Sequence, residues 1–422
     1  MGLWKELPRE QQEKLLAENK SKYDEIKAMG LKLDLSRGKP SPDVLDLSND
    51  LLGALDTYKS ESGTDIRNYG VVTGLPEVKR MFSELLDIPA DNIIVGGNAS
   101  LTHMYNVFMT LWLFGAPGHE PWGKQEKIKI LCPSPGYDRH FNLTADFDTE
   151  MVIVPMTDDG PDMDEVERLA ASDPAVKGIW CVPLYSNPAG AVYSDETVKR
   201  LAGMKTAAPD FRIFWDNAYG VHHLWEEHKI ANIHSLSAEA GYPERVYYFF
   251  STSKITFPGG GIGMVASGEA NIKQLAKHIG LQTIGLDKIS QIKAWKFFGG
   301  DPEKIREHMW KIAEILRPKF DLVLRKLDED FKDTGLVEYT EPKGGYFVSV
   351  DVPDGCAKSI VALAKDAGAV LTGAGATFPY GIDPDDKNIR LAPTFPSLDE
   401  LESTMDLFTV CVKIVALEKY LN

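Results

Sequence analysis

The sequence contains the stretch VYYFFSTSK at residues 246–254. Its first five residues form an apolar run that is typical of a buried β-strand. A lysine at the end of such a strand is costly to bury unless it is paired or used, which makes Lys254 a candidate site residue. The hydroxyls of Ser251 and Ser253 and a glycine-rich turn at residues 258–261 suit an imine to an aldehyde cofactor with a phosphate. Taken alone, however, an S-x-S-K pattern is more often an exposed loop lysine.

Short apolar runs alternate with helical patterns on both sides of this stretch. Because these runs are apolar throughout, they are typical of parallel strands that helices cover on both faces. The sequence therefore predicts an α/β fold with a mainly parallel, seven-stranded-type sheet. The predicted strands are 93–95, 128–131, 151–154, 178–182, 212–215, 246–250 and 263–266, and the predicted helices among them include 99–113, 163–171 and 195–205.

The pattern changes after about Gly300. A long charged helix at 302–331, antiparallel strands at 344–352 and 388–391, and a terminal helix at 398–419 indicate a smaller α+β domain. An amphipathic helix at 7–29 is expected to pack on that domain. We therefore predict an N-terminal helix and loop (1–55), a large cofactor-binding domain (56–305) and a small C-terminal domain (306–422).

The composition argues against several classes of partner. A formal net charge of −16 over 422 residues disfavours binding to nucleic acid or to an anionic membrane surface. No stretch approaches a transmembrane span, and residues 1–19 lack the apolar run of a signal peptide. The four cysteines form no C-x-x-C motif, so we expect neither a metal site nor a disulfide framework. A cytoplasmic location is expected.

Polar residues follow two further predicted strands. Asp216 comes directly after 212–215, where an acid can hold a pyridine nitrogen protonated, and Tyr219 can reach a ring hydroxyl. An aspartate at such a junction is, however, often only a helix N-cap. Asn187, followed by Pro188, comes after 178–182 and suits a ring oxygen and a substrate carboxylate, although this pair is also common in turns.

Two more loops complete the set. The segment GGNAS at residues 96–100 lies between a predicted strand and a predicted helix, where free backbone N–H groups can cradle a phosphate. The segment PSPGY at residues 133–137 ends in Tyr137, which can stack on a flat ring or simply fill the core. All five loops lie at the C-terminal ends of predicted strands, where open α/β sheets bind ligands.

In chain order these loops supply a phosphate cradle, a stacking aromatic, an Asn-Pro pair, an acid and a lysine. In this order the sequence resembles the fold-type I pyridoxal-phosphate enzymes, and within them the class I aminotransferases, from about residue 37 to residue 390. The segments LSRGKPS at 35–41 and STSKITF at 251–257 are most similar to those of a divergent bacterial group of aspartate aminotransferases.

The resemblance implies a role for each candidate. Lys254 would carry pyridoxal phosphate and later move the proton of the substrate Cα. Asp216 would face the pyridine nitrogen, Tyr219 and Asn187 the ring's 3-oxygen, and Tyr137 the ring face. Phosphate binding is implied for Asn98, Ala99, Ser100, Ser251 and Ser253. The segment with Tyr69 resembles one that reaches the phosphate of a neighbouring subunit, which implies a homodimer with shared active sites.

At the substrate end, Arg390 resembles the arginine that forks onto the substrate α-carboxylate, and Gly38 the small residue that lies over the substrate. An acidic amino acid needs a second cation, for which Arg37, Lys39 and Arg139 are candidates, although each could be a solvated loop charge. The resemblance thus implies ping-pong transfer of an amino group from an amino acid, with L-aspartate favoured, to 2-oxoglutarate.

One feature departs from the family pattern. Most class I relatives carry an arginine soon after the lysine to pair with the phosphate, whereas residues 258–263 read PGGGIG. Another amino donor, or a β-lyase or decarboxylase reaction on the same scaffold, stays open. A ligand sensor fused to a DNA-binding motif is disfavoured because only one helix precedes Arg37. A nicotinamide enzyme is disfavoured because the glycines lack G-x-G-x-x-G spacing before a helix.

Overall fold

A computed structural model describes residues 3–422. In chain order its α-helices are α1 (Arg9–Ala28), α2 (Pro42–Asp46), α3 (Asp50–Gly53), α4 (Pro76–Leu86), α5 (Ser100–Phe114), α6 (Asp138–Asp146), α7 (Met163–Ser172), α8 (Asp195–Gly203), α9 (Ile233–Glu239), α10 (Glu269–Thr283), α11 (Lys288–Phe297), α12 (Pro302–Phe331), α13 (Ala357–Asp366) and α14 (Leu398–Leu421). Its strands are β1 (Leu33–Asp34), β2 (Ile93–Val95), β3 (Lys129–Ser134), β4 (Glu150–Thr157), β5 (Gly160–Pro161), β6 (Val176–Cys181), β7 (Arg212–Asp216), β8 (Val246–Ser251), β9 (Gly263–Ala266), β10 (Glu338–Tyr339), β11 (Val348–Asp351), β12 (Ala369–Val370) and β13 (Asn388–Leu391).

The large sheet has the order β2-β9-β8-β7-β6-β3-β4-β5. Strands β8, β7, β6, β3 and β4 are parallel, whereas β9 pairs antiparallel with both neighbours. The seven predicted strands are all present, and the mainly parallel α/β fold is confirmed. The strand count was one too low, because β5 is a two-residue edge strand that pairs antiparallel with β4 and carries no apolar run.

The central strand β7 shows why the sheet needs cover on both faces. All five of its residues are buried. Ile213 and Trp215 belong to the larger apolar core, whereas Phe214 belongs to a second core on the opposite face. In that second core Phe214 lies 5.7 Å from Phe108 of α5, between ring centroids. Alternation of side chains along the strand thus fills both helix layers.

The C-terminal part contains a three-stranded antiparallel sheet, β10-β11-β13. The predicted strand 344–352 was too long at its start, because only Val348–Asp351 form a ladder and Gly344 makes an isolated bridge to His223. A further two-stranded sheet, β1-β12, joins the N-terminal segment to this part. Short pairs of this kind carry too few residues for a periodic pattern.

The N-terminal helix lies against the end of the chain. Helix α1 packs on α14, and the Tyr23 hydroxyl donates to the Leu363 carbonyl of α13 over 3.0 Å. We propose to keep the division into residues 1–55, 56–305 and 306–422, with one adjustment. Because α12 begins at Pro302, the last boundary belongs before that residue.

The two sheets bring their polar loops together. The loops after β3, β6, β7 and β8 leave the same end of the large sheet, and β13 presents Arg390 towards them. Among residues 3–422, no helix has both the length and the apolar character to cross a membrane.

Candidate active site

A cavity of about 420 Å³ lies at the C-terminal ends of the parallel strands. It is bounded by the large sheet on one side and by the C-terminal part on the other. Eight predicted site residues line it: Gly38, Ser100, Tyr137, Asn187, Asp216, Tyr219, Lys254 and Arg390. Residues separated by more than 350 positions therefore meet in one cavity, as the resemblance implied.

Asp216 ends β7 and is almost fully buried. His140 of α6 places its Nε2 atom 3.0 Å from Asp216 Oδ2, and its ring stacks on Trp180 with 4.2 Å between centroids. Asp216 Oδ1 is also buried but has no hydrogen-bond partner among residues 3–422. Since an unpaired buried carboxylate oxygen is costly, this atom is available to a ligand donor such as a protonated ring nitrogen. Asp216 is not a helix N-cap, because no helix begins after it until α9.

Lys254 lies in the loop after β8 and faces the cavity. Its Nζ atom is 4.8 Å from the centroid of the Tyr219 ring. Desolvation lowers the pKa of Lys254, and the nearby charge of Asp216 opposes this effect. A lowered pKa leaves more of the amine neutral near pH 7, and only a neutral amine attacks a carbonyl. Burial also raises the pKa of Tyr219 well above its usual value, so its hydroxyl stays protonated and can donate a hydrogen bond.

The start of α5 forms the floor of a cradle beside Lys254. Ala99 is the N-cap residue, and no side chain caps the first N–H groups of the helix. The Ser253 hydroxyl donates to the Asn98 carbonyl over 2.9 Å, and the Ser251 hydroxyl donates to Ser253 Oγ over 3.2 Å. Uncapped N–H groups and hydroxyls at a helix N-terminus suit an anion. The structure thus brings together the five residues predicted for phosphate, including Ser100.

Gly263 closes this cradle from the side of β9. A Cβ atom at this position would lie 2.7 Å from the carbonyl carbon and oxygen of Ala99. The Gly263 N–H donates to the Gly97 carbonyl over 2.8 Å, which fixes the loop. Gly263 therefore lies in close backbone approach to the start of α5, whereas a Cβ atom at Gly259 or Gly260 would meet nothing within 4 Å.

Arg390 of β13 is held from several sides. Its Nη1 group donates to Asn187 Oδ1 over 3.1 Å and to Asp138 Oδ1 over 3.3 Å, and its Nε group donates to Thr372 Oγ1 over 3.4 Å. The guanidinium carbon lies 4.8 Å from the Phe347 ring centroid. Nη2 has no partner among residues 3–422. A fixed guanidinium with free donors can bind a carboxylate through two hydrogen bonds.

The three residues considered for the side-chain carboxylate of an acidic substrate do not all reach the cavity. Arg37 and Arg139 line the cavity. Lys39 does not, and its Nζ atom lies 3.8 Å from the Phe395 ring centroid instead. Gly38 lines the cavity against Phe347, whose Cζ atom would be 2.4 Å from a Cβ atom at this position.

Tyr69 lies outside the cavity and is 78% exposed. Within one chain it contacts none of the other predicted site residues, which is the arrangement that a role in a neighbouring subunit requires.

Sequence reasoning missed His140, Asp138 and Thr372. His140 and Asp138 lie in the first turn of α6, directly after the loop that ends in Tyr137. His140 follows Tyr137 by three residues and therefore shares a helix face with the stacking tyrosine, which was a usable signal. Thr372 lies in a loop without a pattern, and only the fold brings it to Arg390.

Comparison with known proteins shows to which family the chain belongs. The family model described as aspartate amino-transferase matches residues 7–422. The chain belongs to that family. It is 49% identical over 95% of both chains to a Mycolicibacterium smegmatis protein named as an aminotransferase. It is 44% identical to an aspartate aminotransferase of Corynebacterium glutamicum, over 96% of this chain and 94% of that one.

The fold agrees with this assignment. The crystal structure of an aspartate transaminase from Corynebacterium glutamicum superposes with a TM-score of 0.96 at 43% identity, covering 99% of both chains. This member of the aspartate amino-transferase family is therefore an aminotransferase with the fold of type I enzymes, as the resemblance implied.

Proposed function

We propose that this aminotransferase uses pyridoxal phosphate to transfer the amino group of L-aspartate to 2-oxoglutarate in a ping-pong reaction. The observation that carries the proposal is the arrangement of three groups in one cavity. Lys254, Asp216 and Arg390 line the same space, and Asp216 Oδ1 is buried without a hydrogen-bond partner among residues 3–422.

The residues present fit pyridoxal phosphate. Asp216 Oδ1 offers a buried acceptor for a protonated ring nitrogen, and the uncapped start of α5 offers donors for a phosphate. Tyr137 lies beside His140, with ring centroids 4.9 Å apart, and suits a flat ring. Pyridoxal phosphate, when bound, supplies an electron-accepting ring that can carry an amino group between two substrates.

The segment after Lys254 lacks the phosphate-binding arginine that most class I relatives carry. Residues 258–263 supply no cation, so the N–H groups of α5, its dipole and the hydroxyls of Ser251 and Ser253 would hold the phosphate. The proposed contribution of Tyr69 from the neighbouring subunit would add one more donor.

Four side chains would bind the substrate, move its proton and hydrogen-bond the ring oxygen. Arg390 would bind the substrate α-carboxylate and orient the Cα–H bond, and Lys254, whose pKa burial lowers, would take the Cα proton. Asn187, which accepts a hydrogen bond from Arg390, would link the carboxylate site to the ring. Tyr219, which lies beside Lys254, would donate a hydrogen bond from its hydroxyl to the ring oxygen.

Aspartate as donor is supported by the relative of Corynebacterium glutamicum and by the arginines of the cavity. The test is an absorbance spectrum of the protein with added pyridoxal phosphate, before and after excess L-aspartate without an acceptor. We expect the band of lysine-bound cofactor to give way to the pyridoxamine band, with one equivalent of oxaloacetate released. A band that aspartate leaves unchanged would overturn the donor and retain the cofactor. Pyruvate or an amine with an unchanged cofactor would indicate a lyase or a decarboxylase.

We also propose a homodimer with shared active sites. Tyr69 and Ile284 are exposed by 78% and 57%, and they belong to one surface because Gly285 lies against the Gly70 backbone. Exposed apolar side chains on one surface support an interface there. Light scattering should show a dimer, and Tyr69→Phe should weaken cofactor binding although Tyr69 is remote from the cavity of its own chain. A monomer with full cofactor affinity would contradict the proposal.

A cytoplasmic location is proposed as well. The four cysteines are all unpaired and buried, as is usual in a reducing compartment. Fractionation of the source cells should recover the protein with cytoplasmic markers.

A further inference from the structure

The carboxylate of Asp138 lies between two arginines of the cavity. Its Oδ1 atom is 3.3 Å from Arg390 Nη1, and its Oδ2 atom is 3.9 Å from Arg139 Nε. The Arg390 side chain is 8% exposed and that of Asp138 27%, whereas that of Arg139 is 56% exposed at the mouth. One carboxylate thus links the arginine proposed for the substrate α-carboxylate to a second, more exposed arginine.

The charges at this end of the cavity do not cancel. Arg37, Arg139 and Arg390 supply three positive charges, and Asp138 supplies one negative charge. Asp216 contacts His140 at the other end and does not enter this balance. The remaining two positive charges match a dicarboxylate, whereas a monocarboxylate would leave one of them without a partner.

Arg139 and Arg37 differ in how they are held. The side chain of Arg37 makes no hydrogen bond or ion pair with residues 3–422, so a substrate would have to order it on binding. Arg139 lies in the first turn of α6, which fixes its backbone, and its Nε atom is 3.9 Å from Asp138 Oδ2, whereas Arg37 lies in the loop between β1 and α2. A restrained partner loses less conformational entropy on binding, which favours Arg139 as the specific contact.

We propose that Arg139 binds the side-chain carboxylate of a dicarboxylic substrate, and that Asp138 is the positioning residue that holds Arg139 and Arg390 for the two carboxylates. This inference rests on the proposed function and assigns its substrate selectivity to residues of the same chain. Arg37 then contributes through long-range attraction, which weakens in salt.

The test compares two inhibitors that cannot transfer an amino group, glutarate and butyrate, on the holoenzyme. Binding is followed through the cofactor absorbance, and the ratio of the two dissociation constants measures selectivity. Arg139→Gln should lower glutarate affinity by about tenfold or more, the worth of a charged hydrogen-bonded pair, with little effect on butyrate. Arg168→Gln, which removes an exposed arginine paired with Glu165 on α7, is the matched control and should change neither.

Asp138→Asn separates positioning from attraction. Removing a negative charge should maintain or strengthen glutarate binding, whereas kcat for L-aspartate should fall because Arg390 and Arg139 lose their common restraint. An effect on general folding would instead weaken both inhibitors together.

The outcomes distinguish the inference from the function on which it rests. A wild-type holoenzyme without preference for glutarate would overturn the acidic specificity itself. A wild-type preference that survives in Arg139→Gln, or that only Arg37→Gln abolishes, would overturn the assignment of Arg139 and leave the proposed function intact. An unchanged kcat in the Asp138→Asn variant would overturn the proposed role of Asp138 in positioning the two arginines.

Discussion

His140 Nε2 lies 3.0 Å from Asp216 Oδ2, while Oδ1 of the same carboxylate has no partner among residues 3–422. The two oxygens of one buried side chain therefore have different tasks. One contacts a histidine that stacks on Trp180, and the other is left without a partner on a residue that lines the cavity. A histidine contact of this kind fixes the orientation of the carboxylate and stabilises its charge.

This pair leads to the first prediction. Asp216→Asn should lower kcat for L-aspartate on the order of a hundredfold or more, because an amide cannot keep a ring nitrogen protonated. His140→Gln, which can still donate a hydrogen bond, should lower kcat much less. Rapid mixing of each variant with L-aspartate would measure the half-reaction. Equal losses in the two variants would contradict separate roles for the two oxygens.

Lys254 gives the second prediction. Lys254→Ala should abolish the absorbance band of lysine-bound cofactor and nearly all turnover, because among residues 3–422 no other lysine lines the cavity. The fold should remain, since the lysine side chain faces the cavity and not the core. Far-ultraviolet circular dichroism and light scattering serve as controls for folding. Substantial turnover in the variant would show that the site has been placed wrongly.

The sequence predicted those features that have a local pattern. The apolar runs marked seven strands of the large sheet, and the residue types at the strand ends indicated the cavity before any contact was known. Lys254, Asp216 and Asn187 were within reach because each lies directly after a strand. Strand β5 and the β1-β12 pair could not be predicted in this way. Each of these strands has two residues, too few for a pattern, and is recognised only through its pairing with another strand.

The contacts of Arg390 could not be predicted from the sequence. The residue itself was a candidate, but Asp138, Thr372 and Phe347 reach it from three other elements. These contacts depend on how β13, α6 and a loop pack in three dimensions, which no spacing in the sequence encodes. Lys39 illustrates the reverse error, because its loop reaches the cavity while its side chain turns towards Phe395.

Gly263 gives the third prediction. In Gly263→Ala the new methyl group would meet the Ala99 backbone at 2.7 Å, and that backbone cannot move without opening the start of α5. Overpacking costs about 1–3 kcal/mol, so affinity for pyridoxal phosphate should fall roughly ten- to a hundredfold. Affinity for pyridoxal, which lacks the phosphate, should change less.

Gly259 supplies the matched control for this prediction. It lies in the same turn, but a Cβ atom there would meet nothing within 4 Å. Gly259→Ala should therefore bind both compounds as the wild type does. If Gly263→Ala weakened pyridoxal and pyridoxal phosphate equally, the proposed phosphate cradle would be wrong.

The last prediction concerns stability and pH. His222 is buried beside Tyr219 and Tyr346, and neither ring nitrogen has a partner among residues 3–422. Burial, together with the charge of Lys254, lowers the pKa of His222 to about 3 from a usual value of 6.5. The folded protein therefore keeps this ring neutral where the unfolded chain takes up a proton. The resulting contribution to stability is complete above pH 6.5 and is lost progressively as the pH falls towards 3.

Replacing the histidine by glutamine should remove that dependence. Between pH 7.5 and pH 5, the free energy of unfolding should fall by roughly 2 kcal/mol more in the wild type than in His222→Gln, measured by urea denaturation at one protein concentration. His223, whose pKa burial lowers to about 4, remains in both proteins and cancels in the comparison. His119→Gln, in a surface loop, should retain the wild-type slope. Parallel slopes for the wild type and His222→Gln would mean that His222 is protonated, and therefore solvated or paired, in the folded protein.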